Sequence, residues 1–303
     1  MKLFIIGNGF DLYHNYKTSY LNFRDYLTEN ENNYKIGELT LLDILSPEEN
    51  YTFWKDFEEN LATISLNRIS AGYNQSDPVS RNNLKIIENI RNINEDLYSL
   101  IQNALSDFIE IATKERNEPK SLFMSLFGLN DKFITFNYSL TLQKIYNIES
   151  NKINYIHGMC IERNDEEDNT SIVFGHSGNI PDSLYANNLY DDEDKPEYLK
   201  AKIRNSLSKS IEIYEYEKFI GNISIYDEIH IIGHSLGIVD ETYFNKINTK
   251  STKKIIYWQY VDKDLIEEKT IKRIKELFYN VNCLIIFYDE QGIQKQIEIQ
   301  KNY

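Results

Sequence analysis

The residue types able to do acid–base or ligand-binding chemistry gather in a few short segments: Gly7-Asn8-Gly9-Phe10-Asp11, Asn137-Tyr138-Ser139, His157-Gly158, Gly175-His176 and Gly233-His234-Ser235-Leu236-Gly237, with Asp240 just beyond. Each follows a short apolar or β-branched run that reads as a strand. In open α/β sheets ligands lie outside the carboxyl ends of the strands, so these are the positions where a site is expected. Two glycines after the first strand let the backbone approach a ligand closely and can aim amide N–H groups at a phosphate. The same pair also serves an ordinary tight turn. Leu12 stands where a third glycine would complete GxGxxG, so the dehydrogenase fingerprint is not met. Asn137 either caps the following helix or enters the site. His157, followed by Gly158 at a strand terminus, is placed to act as a general base. Five such strand ends together predict a nucleotide-sized site.

Gly233-His234-Ser235-Leu236-Gly237 also matches GxSxG, the nucleophile elbow of α/β-hydrolases, which makes a serine hydrolase using Ser235 the rival reading. That fold supplies its triad in the order Ser, acid, His, yet His14, His157, His176, His230 and His234 all precede Ser235. His230 and His234 are four apart, but a strand and a turn intervene, so the spacing does not put them on one helix face and no metal site is expected. The only two cysteines, Cys160 and Cys283, cannot build a disulfide framework, a CxxC motif or a four-cysteine zinc site. Cys160 reads as a small buried hydrophobe.

The elements that must position these residues follow from hydrophobic patterning. Runs at Leu3–Ile6, Phe133–Phe136, Asn154–Ile156, Ile172–Phe174, Ile229–Ile232, Ile255–Tyr260 and Leu284–Tyr288 predict strands of a parallel sheet, mostly continuous in apolar character as buried parallel strands are. Ile87, Ile90, Ile93, Leu97, Leu100 or Ile101, Ala104, Phe108 and Ile111 recur at helical spacing between Pro78 and Pro119. With the shorter pattern Trp54, Phe57, Leu61 and Ile64, they predict a helical insertion over 32–125 within a single α/β domain over 1–303. The chain carries 33 Lys+Arg against 47 Asp+Glu, a formal net charge of -14, and no basic patch, which argues against a nucleic-acid partner. Leu3–Ile6 is too short for a signal-peptide core of roughly 7–15 residues. No stretch approaches the roughly 20 apolar residues of a membrane span. A soluble, cytoplasmic protein without a membrane partner is expected. The acidic runs Asp165–Asp168 and Asp191–Asp194 read as solvated loops.

The whole set of motifs resembles a known family. Gly7-Asn8-Gly9-Phe10-Asp11-Leu12 with Thr18-Ser19-Tyr20 and Phe23, Trp54-Lys55-Asp56-Phe57-Glu58 with Asn60-Leu61, Phe136-Asn137-Tyr138, Ile156-His157-Gly158, Phe174-Gly175-His176 and Gly233 to Asp240 resemble, in this order, the AbiH family of bacteriophage abortive infection proteins. The order also resembles a distant sirtuin-type nucleotide fold: Gly7-Asn8-Gly9 as its phosphate loop, Phe136-Asn137-Tyr138-Ser139 as its Gln-Asn-Ile-Asp segment, His157-Gly158 as its catalytic His-Gly, and Gly233-His234-Ser235-Leu236 as its ribose-contacting turn. The resemblance implies a Rossmann-like sheet and phage defence by hydrolysis of NAD, the substrate. Asn137 and His157 would form the catalytic pair. Gly7, Asn8, Gly9, Phe10, Asp11, Gly158, Gly233, His234, Ser235 and Asp240 would hold the nucleotide. A homo-oligomer or a phage-derived trigger protein is the implied partner, and a non-catalytic nucleotide sensor is the alternative. Ser139 departs from the sirtuin Asp, and the absence of the zinc cysteines argues against protein deacylation.

Overall fold

The computed structural model describes residues 1–45, 51–160, 172–178, 195–249, 251–260 and 267–300. The acidic runs Asp165–Asp168 and Asp191–Asp194 lie outside them. The chain divides into two compact units, one of Met1–Thr18, Ile109–Ser171 and Ile211–Tyr303, the other of Ser19–Phe108 and Ile172–Ser210. The strands in chain order are β1 (Lys2–Ile6), β2 (Lys35–Ile36), β3 (Leu39–Thr40), β4 (Lys132–Thr135), β5 (Ile153–Tyr155), β6 (Glu228–Ile232), β7 (Ile255–Tyr260), β8 (Cys283–Asp289) and β9 (Gly292–Ile299).

The first unit is a seven-stranded sheet in the order β5-β4-β1-β6-β7-β8-β9, parallel except for the antiparallel β8–β9 pair. The chain leaves β1 on one side through β4 and on the other through β6, the strand-order reversal of a Rossmann-type sheet. Both faces are covered. Leu3, Ile5, Ile231 and Tyr257 pack with Tyr216, Tyr243, Phe244 and Ile274, while Phe4, Ile6, Ile232 and Trp258 pack with Phe10, Phe123 and Leu142. Burial on both faces is why these strands lack polar alternation.

The parallel sheet and its flanking helices match the expectation from sequence, with two differences. Ile172–Phe174 is not a sheet strand. It lies in the second unit, where Gln102 Nε2 donates to Ile172 O at 2.6 Å and Phe174 stacks on Tyr98 at 4.5 Å. Its apolar residues are satisfied by a helix surface and need no ladder. Strand β9 escapes prediction because it is an edge: Gln294, Lys295 and Gln296 face solvent, and only its pairing with β8 defines it.

The second unit is built around the helix Arg81–Ala112 and shorter ones such as Tyr20–Glu29 and Pro196–Ser206. Ile87, Ile90, Ile93, Leu97, Ile101, Ala104 and Phe108 are buried as the spacing predicts. Ile111, placed on the same stripe, is 61% exposed, so the buried face ends before the helix does. Ser19 caps Tyr20–Glu29 by accepting from Asn22 N–H, and Trp54 stacks on Phe57 at 5.3 Å beside Phe23. The unit thus begins at the Ser19 cap, ahead of residue 32. At the other end it stops short of 125, because Phe123 belongs to the core beneath the sheet. Buried in this unit, Lys209 Nζ donates to Glu58 Oε2 at 2.6 Å, and Tyr20 OH donates to the other carboxylate oxygen. Glu58 of that family-like motif is therefore a structural ion-pair partner.

Candidate functional site

Strand register decides which residues meet at the carboxyl ends. Tyr155, Thr135, Ile6 and Ile232 are paired across β5, β4, β1 and β6. Two residues beyond each of them stand His157, Asn137, Asn8 and His234. Three of the four are buried polar side chains, an arrangement that a sheet serving only stability has no reason to hold.

Asp240 organises the two histidines. It occupies the N-cap position of the helix Glu241–Ile247, where an aspartate ordinarily accepts a backbone N–H, yet its side chain makes no cap bond. Its carboxylate turns to the strand ends. Oδ1 lies 3.2 Å from His157 Nε2, at ion-pair distance rather than in a linear hydrogen bond, and Oδ2 lies 3.4 Å from His234 Nε2. His234 Nδ1 accepts the Leu236 N–H at 2.9 Å, so its ring proton sits on Nε2, toward Asp240. The apolar walls are Phe136, whose ring meets His157 at 5.1 Å and His234 at 4.5 Å, and Tyr243 and Phe244. A histidine held by a buried carboxylate is the arrangement of an oriented general base.

Asn137 does not cap a helix; the next one starts at Thr141 with Leu140 in the cap position. Its amide is buried, and neither Nδ2 nor Oδ1 makes a formed hydrogen bond. Beside it lies Asp11, 1% exposed, which accepts from Ser139 Oγ and Thr141 Oγ1 at 2.6 Å each. Burial pushes the Asp11 carboxyl up to about 6, against the opposing pull of those hydroxyls and of the nearby Asn137 amide. Ser139 stands out in the sequence only within the Asn137-Tyr138-Ser139 strand end and as a departure from the sirtuin Asp, and Thr141 not at all, although a signal for both exists. Thr135, Asn137, Ser139 and Thr141 alternate with apolar or aromatic residues, the period of one face of an extended chain, and all four are buried.

The glycines have a different part from the one expected. Gly7 N–H donates to Ile232 O at 2.9 Å, Gly9 N–H to Gly233 O at 2.7 Å, Gly158 N–H to Tyr155 O at 3.2 Å and Gly233 N–H to Trp258 O at 3.3 Å. These four amides are occupied by the protein's own carbonyls and are not donors for a phosphate. What requires glycine is backbone crossing backbone. A Cβ on Gly7 would lie 2.5 Å from His234 Cα, and one on Gly233, where φ is +65°, would lie 2.3 Å from Phe10 N. Asn8 is likewise engaged, exchanging hydrogen bonds with Thr18 O at 3.0 Å and Thr18 Oγ1 at 2.7 Å. Phe10 is fully buried against Phe123 and His14 and belongs to the core. Gly233→Ala should therefore cost about 2–5 kcal/mol from left-handed strain plus overpacking, whereas Gly237→Ala, with its nearest contact at 3.6 Å, should be close to neutral; thermal unfolding of the two variants checks this.

Ser235 is exposed, but the backbone strain of a nucleophile elbow is not on it: positive φ falls on Gly233 and Leu236, and both ring nitrogens of His234 are engaged elsewhere. His176 belongs to the second unit, with Nε2 on Arg204 O and Nδ1 accepting Gly178 N–H, so it is structural. His14 donates from Nδ1 to Phe10 O at 2.7 Å and meets Tyr146 OH at 2.6 Å, and burial pulls its pKa down to about 4. His230 pairs with Glu228 and Trp258 inside the sheet. Among the described residues no group of three or more His, Cys, Asp or Glu is arranged to hold a metal ion, and no helix is long and apolar enough to cross a membrane. Two open grooves of about 380 and 640 Å³ lie at the amino ends of the strands, around Asn282–Leu284 and around Phe133 and Lys152, and neither contains a histidine.

Fold and cluster together define a Rossmann-like α/β protein with two histidines gathered on one aspartate at the carboxyl ends of its strands. The chain belongs to the bacteriophage abortive infection AbiH family, whose model matches residues 3–262. Its role is accordingly in abortive infection, a defence against phage. No curated protein and no solved structure matches it significantly.

Proposed function

We propose that this defence protein hydrolyses the nicotinamide–ribose bond of NAD. The observation that carries the reading is the pairing, on adjacent strand ends, of a His157 held by Asp240 with a buried Asn137 amide that borders the Asp11 carboxyl and makes no formed hydrogen bond at Nδ2 or Oδ1. In the reaction the C1′–N bond breaks and its electron pair leaves with nicotinamide, which departs neutral from a cationic ring and needs no acid. A water oxygen then bonds to C1′ of an oxocarbenium-like ribosyl group, and the water proton goes to neutral His157. With Nε2 turned to Asp240, Nδ1 is the basic atom of His157. Asn137 orients the water or a ribose hydroxyl. The exposed Ser235 hydroxyl is the candidate for a ribose contact, whereas Asp240 is committed to the histidines. Because the glycine amides are occupied, the pyrophosphate takes other donors, and an acidic protein must supply them locally.

Purified protein, resting and from phage-challenged cells, should release nicotinamide from NAD, and His157→Ala should lower that rate by about 10²–10⁴-fold, the usual range for a general base. Saturable nucleotide binding without nicotinamide release, together with Asn137→Ala and His157→Ala proteins that still protect cells, would assign a sensor instead.

A further inference from the structure

Asp11 presents a second problem, separate from the base. It is a carboxylate with 1% exposure, and no lysine, arginine or histidine lies within ion-pair distance of it among the described residues. The groups around it are hydroxyls and an amide. Ser139 and Thr141 each donate one proton, and their own oxygens stand 2.9 Å apart. The phenols of Tyr16 and Tyr155 are both pushed up mainly by burial and further by the Asp11 charge. On its own helix, His14 is turned to Phe10 O and Tyr146. A buried negative charge without a countercharge is costly unless something positive completes it. Next to it, Asn137 is only 5% exposed; its amide borders the Asp11 carboxyl but neither amide atom makes a formed hydrogen bond, which marks this spot as incomplete without a ligand.

We propose that Asp11, acting across Asn137, selects a ligand group that carries positive charge, so that the site takes a pyridinium N-riboside in preference to its neutral, reduced counterpart. The inference rests on the NAD reading for the identity of the riboside and adds the residue that recognises its charge. Asp11 is a specificity determinant held behind the amide, and the positive charge it favours is present both in the oxidised ring and in the oxocarbenium-like ribosyl group.

The test compares NAD⁺ with NADH, which differ at the ring charge, by calorimetry at pH 7.5 in the His157→Ala protein, where turnover is suppressed. NAD⁺ should bind at least about tenfold tighter, and Asp11→Asn, which keeps the shape and turns one accepting oxygen into a donor that a Ser139 or Thr141 hydroxyl accepts by turning its own proton to the other, should abolish the preference. Thr141→Val supplies a readout that a merely structural role would not move. Removing a donor raises the proton affinity of Asp11, so the preference should shrink at pH 7 and return at pH 8.5. Equal affinities for NAD⁺ and NADH, or a preference that survives Asp11→Asn, would overturn the inference while leaving nicotinamide release to decide the hydrolase reading. If neither dinucleotide binds, the NAD reading falls, and the cation 1-methylnicotinamide, compared with nicotinamide by NMR, decides for Asp11: binding that depends on Asp11 upholds its role, and absence of such binding overturns it.

Discussion

Asp240→Asn should lower turnover by about 10²–10⁴-fold while leaving the protein folded and substrate affinity little changed. The reason lies in tautomers. His234 must keep its proton on Nε2, because its Nδ1 accepts the Leu236 N–H. It therefore needs an acceptor from residue 240, and the amide introduced by the substitution has a single acceptor oxygen. With that oxygen facing His234, the amide nitrogen faces His157 Nε2 at the position where Oδ1 stood 3.2 Å away. A donor there forces His157 to place its own proton on Nδ1, the atom that the proposed hydrolysis needs as base. The aspartate avoids the conflict because both of its oxygens accept, one toward each histidine. Steady-state rates give the kinetic half of the test, and the ¹⁵N shifts of His157 report the tautomer directly. A variant with full activity would remove the Asp240–His157 pair from the mechanism. A double variant Asp240→Asn/His234→Phe frees the amide to turn over and should recover part of the lost rate.

How far the sequence foretells this site differs from residue to residue, for physical reasons. The strand ends are legible because strands buried on both faces read as unbroken apolar runs, and a polar residue directly after such a run has few structural uses. His157 and Asn137 stand out for that reason. The alternation Thr135, Asn137, Ser139, Thr141 carries as much information, since it marks one polar face continuing past the strand. Asp240 is visible as a candidate but not in its role, because an aspartate ahead of a helix looks the same whether it caps or turns away. The Gly7 and Gly9 pair misleads for a related reason. Glycine is required both where a phosphate approaches the backbone and where a second backbone does, and only the position of Gly233 against Phe10 N distinguishes the two. Ile172–Phe174 cannot be told from a strand by its residues, because a β-branched run is satisfied equally by a helix surface. The division into two units is hidden because the second is assembled from Ser19–Phe108 and the distant Ile172–Ser210.

Lys209→Met should destabilise the second unit by about 3–5 kcal/mol, the range found when one partner of a buried ion pair is removed. The Lys209 side chain is 1% exposed and that of Glu58 14%, and their contact at 2.6 Å ties the 172–210 segment to the helix Phe57–Asn60. Methionine fills the volume of the lysine stem, so the loss is electrostatic: Glu58 keeps the Tyr20 hydroxyl but loses the ammonium group against its other oxygen. The remaining solvent contact of Glu58 places the expected value at the lower end of the range. The chain's two tryptophans make the measurement specific. Trp54 is buried in the second unit and Trp258 in the first, so in a Trp258→Phe background urea unfolding followed by fluorescence reports the unit that contains the pair. The Trp54 transition should move to lower urea in Lys209→Met. It should return most of the way in Glu58→Leu/Lys209→Met, because replacing both partners by apolar groups removes the buried charge along with its attraction. A single variant with an unmoved transition would mean that the pair contributes no net stability. A double variant no better than the single would locate the cost in packing around Lys209 rather than in its charge. Because the pair lies in the unit that does not hold His157, this destabilisation should be larger in the Trp54 transition than in the Trp258 transition read in a matching Trp54→Phe background, and that difference separates it from any general weakening of the chain.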